Sequence, residues 1–133
     1  MDWKLIKEYK KSESVKLSKN FSSSEFHCHC RSKKCNVTYI DSDLIDYLQE
    51  KREMLGKPFK VLSGFRCTTH NKSVGGKPGS QHLQGKAADI KLSGSDITNS
   101  NYVSFFKDAD GLGIYKGRFL HIDTRGYRAR WAG

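Results

Sequence analysis

The chain has 133 residues, enough for one compact domain around a single hydrophobic core and too few for two. Hydrophobic residues make up 36% and charged residues 29%, a soluble globular balance, and no apolar run approaches the roughly 20 residues of a membrane-spanning helix. Lys and Arg outnumber Asp and Glu by 24 to 14, a net charge of +10 that attracts polyanions without choosing among nucleic acid, anionic lipid and cell-wall polymers.

Residues 1–20 form a basic lead-in, with Trp3, Leu5, Ile6 and Tyr9 able to dock on a domain spanning 21–133. The start alternates apolar and charged residues and has no apolar h-region, so no secretory signal is expected. Between Phe21 and Phe26, serines followed by Glu25 predict one capped helical turn. The clearest helix runs from Asp41 to Leu55: Asp41 and Ser42 can cap it, Leu44, Ile45, Leu48 and Leu55 form an apolar stripe, and Gly56 and Pro58 stop it. Phe59–Leu62 then reads as a strand, ended by a turn at Ser63-Gly64-Phe65-Arg66, and a polar, glycine-rich loop follows through Gly75, Gly76, Gly79 and Ser80. Strands are predicted at Ala87–Leu92, Leu112–Tyr115 and Phe119–Thr124, with a helix over Ile97–Lys107. Arg125, Arg128 and Arg130, beside Tyr127 and Trp131, read as a solvated basic face. Because helix-turn-helix, RNP and zinc-finger spacings are all missing, no specific nucleic-acid partner is expected. Mixed helices and short strands predict an α+β fold with a central, mostly antiparallel sheet flanked by helices.

The chemistry concentrates in two places. Ser80-Gln81-His82-Leu83-Gln84-Gly85-Lys86-Ala87-Ala88-Asp89 carries a His in a loop and, seven residues on, an Asp in a strand, with Gly85 allowing the tight return between them. In Phe119-Leu120-His121-Ile122-Asp123, strand alternation sends Leu120 and Ile122 to one face and His121 and Asp123 to the other. His82, Asp89 and His121 are a ligand set suited to Zn²⁺ with a fourth position left for water, which implies hydrolysis.

The run from Ser80 to Asp89 matches S-x-H-x-x-G-x-A-x-D, and the chain resembles the D-alanyl-D-alanine carboxypeptidase-like metallopeptidases, the M15 group, whose fold is shared with the hedgehog signalling domain. Ser63-Gly64-Phe65-Arg66 is similar to that family's S-G-[YF]-R run. His70-Asn71 with Val74-Gly75-Gly76 is similar to its loop, and Gly113-Ile114-Tyr115 with Phe119 to Arg125 to its closing segment. The resemblance covers about Phe21 to Trp131 and is nearest to the small single-domain branch found in phage lysins and wall enzymes.

The resemblance implies zinc ligands at His82, Asp89 and His121, and an arginine at Arg66 that grips substrate with planar, bidentate donors. Ser80 falls among the substrate-side residues, where it can orient the His82 loop. Many members have an acidic residue three positions before the last His ligand, and here that position is Arg118. Asp123 replaces it as candidate general base, with a ligand-orienting carboxylate as its other reading, and Asp108 and Asp110 stand further out.

Cys28, Cys30 and Cys35 cluster, and Cys67 follows Arg66. Three readings stay open: disulfides, among which a Cys28–Cys30 bridge is too tight, a second, structural metal held by Cys28, Cys30, Cys35 and Cys67, and free thiols.

The function expected is zinc-dependent hydrolysis of peptide bonds in bacterial peptidoglycan stems, at a terminal D-Ala bond or an internal L-Ala–D-Glu bond. The enzyme is expected to act as a monomer at the cell wall, made in a host cytoplasm and released as a phage lysin. The competing expectation is a catalytically silent zinc module that binds wall or a protein partner.

Overall fold

A computed structural model describes residues 5–133, so Trp3 lies outside the described residues. Strands β1 (Ile6–Lys10) and β2 (Val37–Asp41) form an antiparallel ribbon, and a second sheet holds β3 (Phe59–Ser63), β4 (Ala87–Leu92), β5 (Gly111–Tyr115), β6 (Phe119–Asp123) and β7 (Ala129–Ala132) in the order β3-β4-β6-β5-β7. Neighbours in the larger sheet are antiparallel except β5 and β7, which run parallel. With helices α1 (Ser42–Leu55), α2 (Thr68–Ser73) and α3 (Ser100–Val103), the fold is α+β. No helix among the described residues is long and apolar enough to cross a membrane.

Alternation along the two central strands separates core from site. Ala88 and Ile90 of β4 and Leu120 and Ile122 of β6 are fully buried, and α1 lays Leu44, Ile45 and Leu48 into the same core. Helix α1 starts where the Asp41 carboxylate accepts the Asp43 N–H at 3.3 Å and stops at Gly56, whose φ of 69° suits a residue without Cβ. Its next inward position is Lys51, whose ammonium meets Asp108 at 3.0 Å, while Leu55 is only partly covered.

Three elements differ from expectation. The lead-in is a strand, because Ile6–Lys10 finds a partner in Val37–Asp41 thirty residues away. The helix expected over Ile97–Lys107 shortens to α3 and one 3₁₀ turn, Ser104–Phe106. Asp96 accepts both the N–H and the hydroxyl of Thr98, at 2.9 and 2.6 Å, and so holds the chain in a turn, and Asn99 starts the helix by capping Asn101 N–H at 2.9 Å. The expected basic face at the C-terminus is partly structural. Arg130 donates to the carbonyls of Lys107, Ala109, Asp110 and Ala129 at 2.7–2.8 Å, and Arg125 pairs with Asp123.

Candidate metal centre and its cleft

One row of residues crosses the larger sheet. Asp89 on β4 stands opposite His121 on β6, His121 opposite Gly113 on β5, and Gly113 opposite Trp131 on β7. A Cβ at Gly113 would press into the Trp131 indole, which packs beside His121 at a centroid distance of 4.9 Å. In the next row, a Cβ at Gly111 would overlap the Asp123 carboxylate. The two glycines make room for an aromatic wall and a buried acid on either side of His121.

His82 reaches the row from a 3₁₀ turn, Gln81–Gln84. Ser80 caps this turn by accepting His82 N–H at 3.2 Å, and the His82 carbonyl accepts Arg66 N–H at 3.1 Å. Gly85 closes the turn at φ 75° and hands its carbonyl to Asp41 N–H at 2.9 Å, which ties the turn to the end of β2.

His82, Asp89 and His121 are all buried, and one ligand atom from each lies within 4.8 Å of the others. His82 Nδ1 is 2.6 Å from the Gly64 carbonyl, which can only accept, so Nδ1 carries the proton and Nε2 presents its lone pair. His121 Nε2 is 2.7 Å from Asp123 Oδ2, which leaves Nδ1 of that ring as the free nitrogen. Both free nitrogens are 3.1 Å from the same oxygen, Asp89 Oδ1. Two lone pairs thus face a carboxylate oxygen, an arrangement that repels unless positive charge stands between them. The spacing suits zinc: bonds of 2.0–2.2 Å to nitrogen and oxygen give a tetrahedral edge of about 3.3 Å. The donor set therefore fits Zn²⁺, and all three residues line the cleft.

Electrostatics bind the group together. Without an ion between them the rings can take a proton and donate to Asp89: burial acts to raise its carboxyl, but hydrogen bonds from His121 and His82 and their charge then hold it well below the usual carboxylate range. Burial acts to lower His121, and Asp123 and Asp89 outweigh it, so its pKa is raised. Asp123 is likewise held down to about 2, burial being outweighed by His121 and Arg125.

The cleft above the row has a volume of about 950 Å³ and is lined on its charged side by Arg66, Lys77, Arg118 and Arg125. Among its described lining residues, Asp89 has the one carboxylate side chain. Arg66 donates through Nε to Ser63 at 3.0 Å, through Nη1 to Asn71 at 3.3 Å and through Nη2 to Asp89 Oδ2 at 3.1 Å. Three of its five N–H groups are thereby committed to posture, and two remain for a ligand.

Asp123 does not face the cleft. Its side chain is fully buried behind His121, 2.7 Å from that ring's Nε2, with Arg125 bonded to both carboxylate oxygens at 2.7–3.1 Å. Ser80 spends its hydroxyl on the His82 turn. Asp108 and Asp110 point elsewhere: Asp108 accepts from Tyr47 and Lys51, and Asp110 accepts Gly126 N–H at 2.9 Å. Arg118, at the family's usual acidic position, lies over the rings of Phe119 and Tyr115 at 5.4 and 5.8 Å. Sequence reasoning gave no role to Asn71, Trp131 or the Gly64 carbonyl: Gly64 and Asn71 stand in the runs that carry the family resemblance and Trp131 beside the C-terminal arginines, but each acts through a contact made by the fold.

Comparison with known proteins agrees with this layout. The peptidase M15 family pattern matches residues 19–123, which hold the whole His-Asp-His set and stop short of β7. A zinc D-Ala-D-Ala carboxypeptidase from Streptomyces albus G is 48% identical over 44 residues. That segment is 32% of this chain and 17% of the relative, so the match spans a minor part of the relative's length. The chain belongs to the peptidase M15 family.

Proposed function

We propose that the protein is a zinc-dependent peptidase that cuts the peptide stems of bacterial peptidoglycan. The observation that carries this reading is the convergence of His82 Nε2, His121 Nδ1 and Asp89 Oδ1, each ring already turned by a partner at its other nitrogen, on the floor of an open cleft. Zinc bound there supplies Lewis acidity, toward water and toward a peptide carbonyl.

The chain's own residues do the rest. Asp123 and the Gly64 carbonyl hold the two imidazoles in the tautomers a metal needs. Arg66 fixes Asp89 by its second oxygen, so that Oδ1 alone turns to the metal position, and its two spare N–H groups face a substrate oxygen. Arg118, Lys77 and Arg125 add positive charge along the cleft, which favours a stem carboxylate, terminal or from D-Glu. The net charge of +10 concentrates the protein on an anionic wall, the site of action in this reading.

Digestion of purified peptidoglycan, with mass spectrometry of the products, tests the reading. Zinc-loaded protein releases new peptide termini, and chelated protein and His82→Ala release none. The termini also separate a D,D-carboxypeptidase from an L-Ala–D-Glu endopeptidase. One observation favours the silent wall-binding module, the lack of a carboxylate side chain other than Asp89 among the described cleft residues. Zinc-loaded protein that binds wall without cutting it would decide for that module.

A further inference from the structure

A second constellation lies outside the cleft and is untouched by the mechanism. Cys28, Cys30, Cys35 and Cys67 come together although Cys67 is more than thirty residues from the other three, and their sulfurs lie within 4.8 Å of one another. All four are unbridged. The Cys67 sulfur is 3.7 Å from that of Cys28 and 3.8 Å from that of Cys30. A tetrahedral Zn²⁺ with Zn–S bonds of about 2.3 Å has an S···S edge of about 3.8 Å.

Three hydrogen-bond donors are turned toward the sulfurs. Cys67 N–H points at the Cys28 sulfur at 3.4 Å, and His70 N–H points at the Cys67 sulfur at 3.4 Å. The Lys11 ammonium stands 3.8 and 3.9 Å from the sulfurs of Cys30 and Cys35 and is held there by the Cys30 carbonyl at 3.0 Å. A neutral thiol is a weak acceptor that gains little from three such donors. Four thiolates around a divalent ion carry net negative charge, which these N–H groups and the ammonium offset.

We infer that Cys28, Cys30, Cys35 and Cys67 form a second metal site, a closed tetrathiolate that binds Zn²⁺ as a structural ion. Each thiol gives up its proton on binding, and with four protein ligands no position is left for water. The ion clamps the 28–35 segment to Cys67, the residue directly after Arg66 and the cap of α2, and α2 carries the Asn71 that holds Arg66 in posture. The site is independent of the catalytic reading, because its occupancy is counted whether or not peptidoglycan is cut.

Metal analysis and cobalt spectroscopy of the full chain test it. Zinc-saturated wild type carries two zinc ions per chain, and His82→Ala and the double variant Cys28→Ser/Cys30→Ser carry one each. Titrating metal-free wild type with Co²⁺ alone produces an intense near-ultraviolet sulfur-to-cobalt charge-transfer band that saturates at one equivalent, and the band persists in His82→Ala. Should the double variant fail to fold, the wild-type cobalt spectrum decides by itself. No zinc retained by His82→Ala, no sulfur-to-cobalt band, or fewer than four free thiols after denaturation of the metal-free protein would each overturn the inference.

Discussion

Replacing Asp123 by Asn tests whether this residue orients a metal ligand or takes a proton in turnover. The carboxylate accepts His121 Nε2–H at 2.7 Å on Oδ2 and, on Oδ1, the backbone N–H and Nε–H of Arg125 at 3.1 and 3.0 Å. An amide group at the Oδ1 position sets N–H against the Arg125 donors. Flipped, it sets N–H against His121 Nε2 and drives that ring's proton to Nδ1, where the metal must bind. Either orientation injures the ligand, and loss of such an orienting partner lowers metal affinity by about 10- to 100-fold, or about 1.4–2.7 kcal/mol. The assay is a Co²⁺ titration read by visible absorption, with the sulfur cluster already filled with zinc, beside kcat on a stem peptide at saturating metal. The expected result is the affinity loss, with most of kcat recovered once metal saturates. Affinity within about twofold of wild type, together with a 10²- to 10⁴-fold fall in kcat, would refute the reasoning and return Asp123 to the role of general base.

The other expectations follow from the same contacts. Gly111→Ala drives a methyl group into the Asp123 carboxylate and costs about 1–3 kcal/mol in denaturant unfolding of the metal-free protein; an unchanged midpoint would show that the row has slack. Arg66→Met removes donors to Asp89 and Asn71, and kcat/KM on stem peptides falls about 10- to 100-fold, whereas a fall below twofold would leave Arg66 without a part in the chemistry. In metal-free protein, Asp123 at about 2 against an ordinary 3.9 contributes stability above about pH 4 that is lost as pH falls toward 2. His121, with its pKa raised, stabilises below its ordinary value of about 6.5 and stops doing so as pH rises through the raised one. Zinc needs the neutral ring, so the rise in Tm on adding zinc is larger at pH 8 than at pH 6, and equal shifts would exclude His121 as a ligand.

What could be read from the sequence was what local pattern decides. Helix α1 announced itself by Asp41, its apolar stripe and Gly56, and β4 and β6 by apolar alternation. His82, Asp89 and His121 could be read as a candidate ligand set because the motif around them resembles a family pattern; that β4 and β6 are neighbours, with Asp89 opposite His121, is a product of the fold. The unread parts depend on contacts distant in sequence. Ribbon β1–β2 is short and half exposed, so its pairing leaves little trace in composition. Strand β7 becomes a strand only by lying parallel to β5, and Trp131 reaches His121 only because Gly113 lacks a side chain. Spacing left Asp123 with two readings, because the choice between them is set by how the His121 ring is rotated. The cysteines stayed undecided for the same reason: Cys67 meets the others through the hydrogen bond from Phe65 N–H to the Phe26 carbonyl, at 2.9 Å, and the turn that follows it.

The uneven footing of the three ligands has a kinetic consequence. Asp89 and His121 sit on strands hydrogen-bonded on both sides, so freeing either means opening the middle of the sheet, which happens only near global unfolding. His82 stands on a single 3₁₀ turn between Ser80 and Gly85. If these three hold the ion, it would come and go at the pace at which that turn lifts, and its residence time would be set there, while the sheet stays shut.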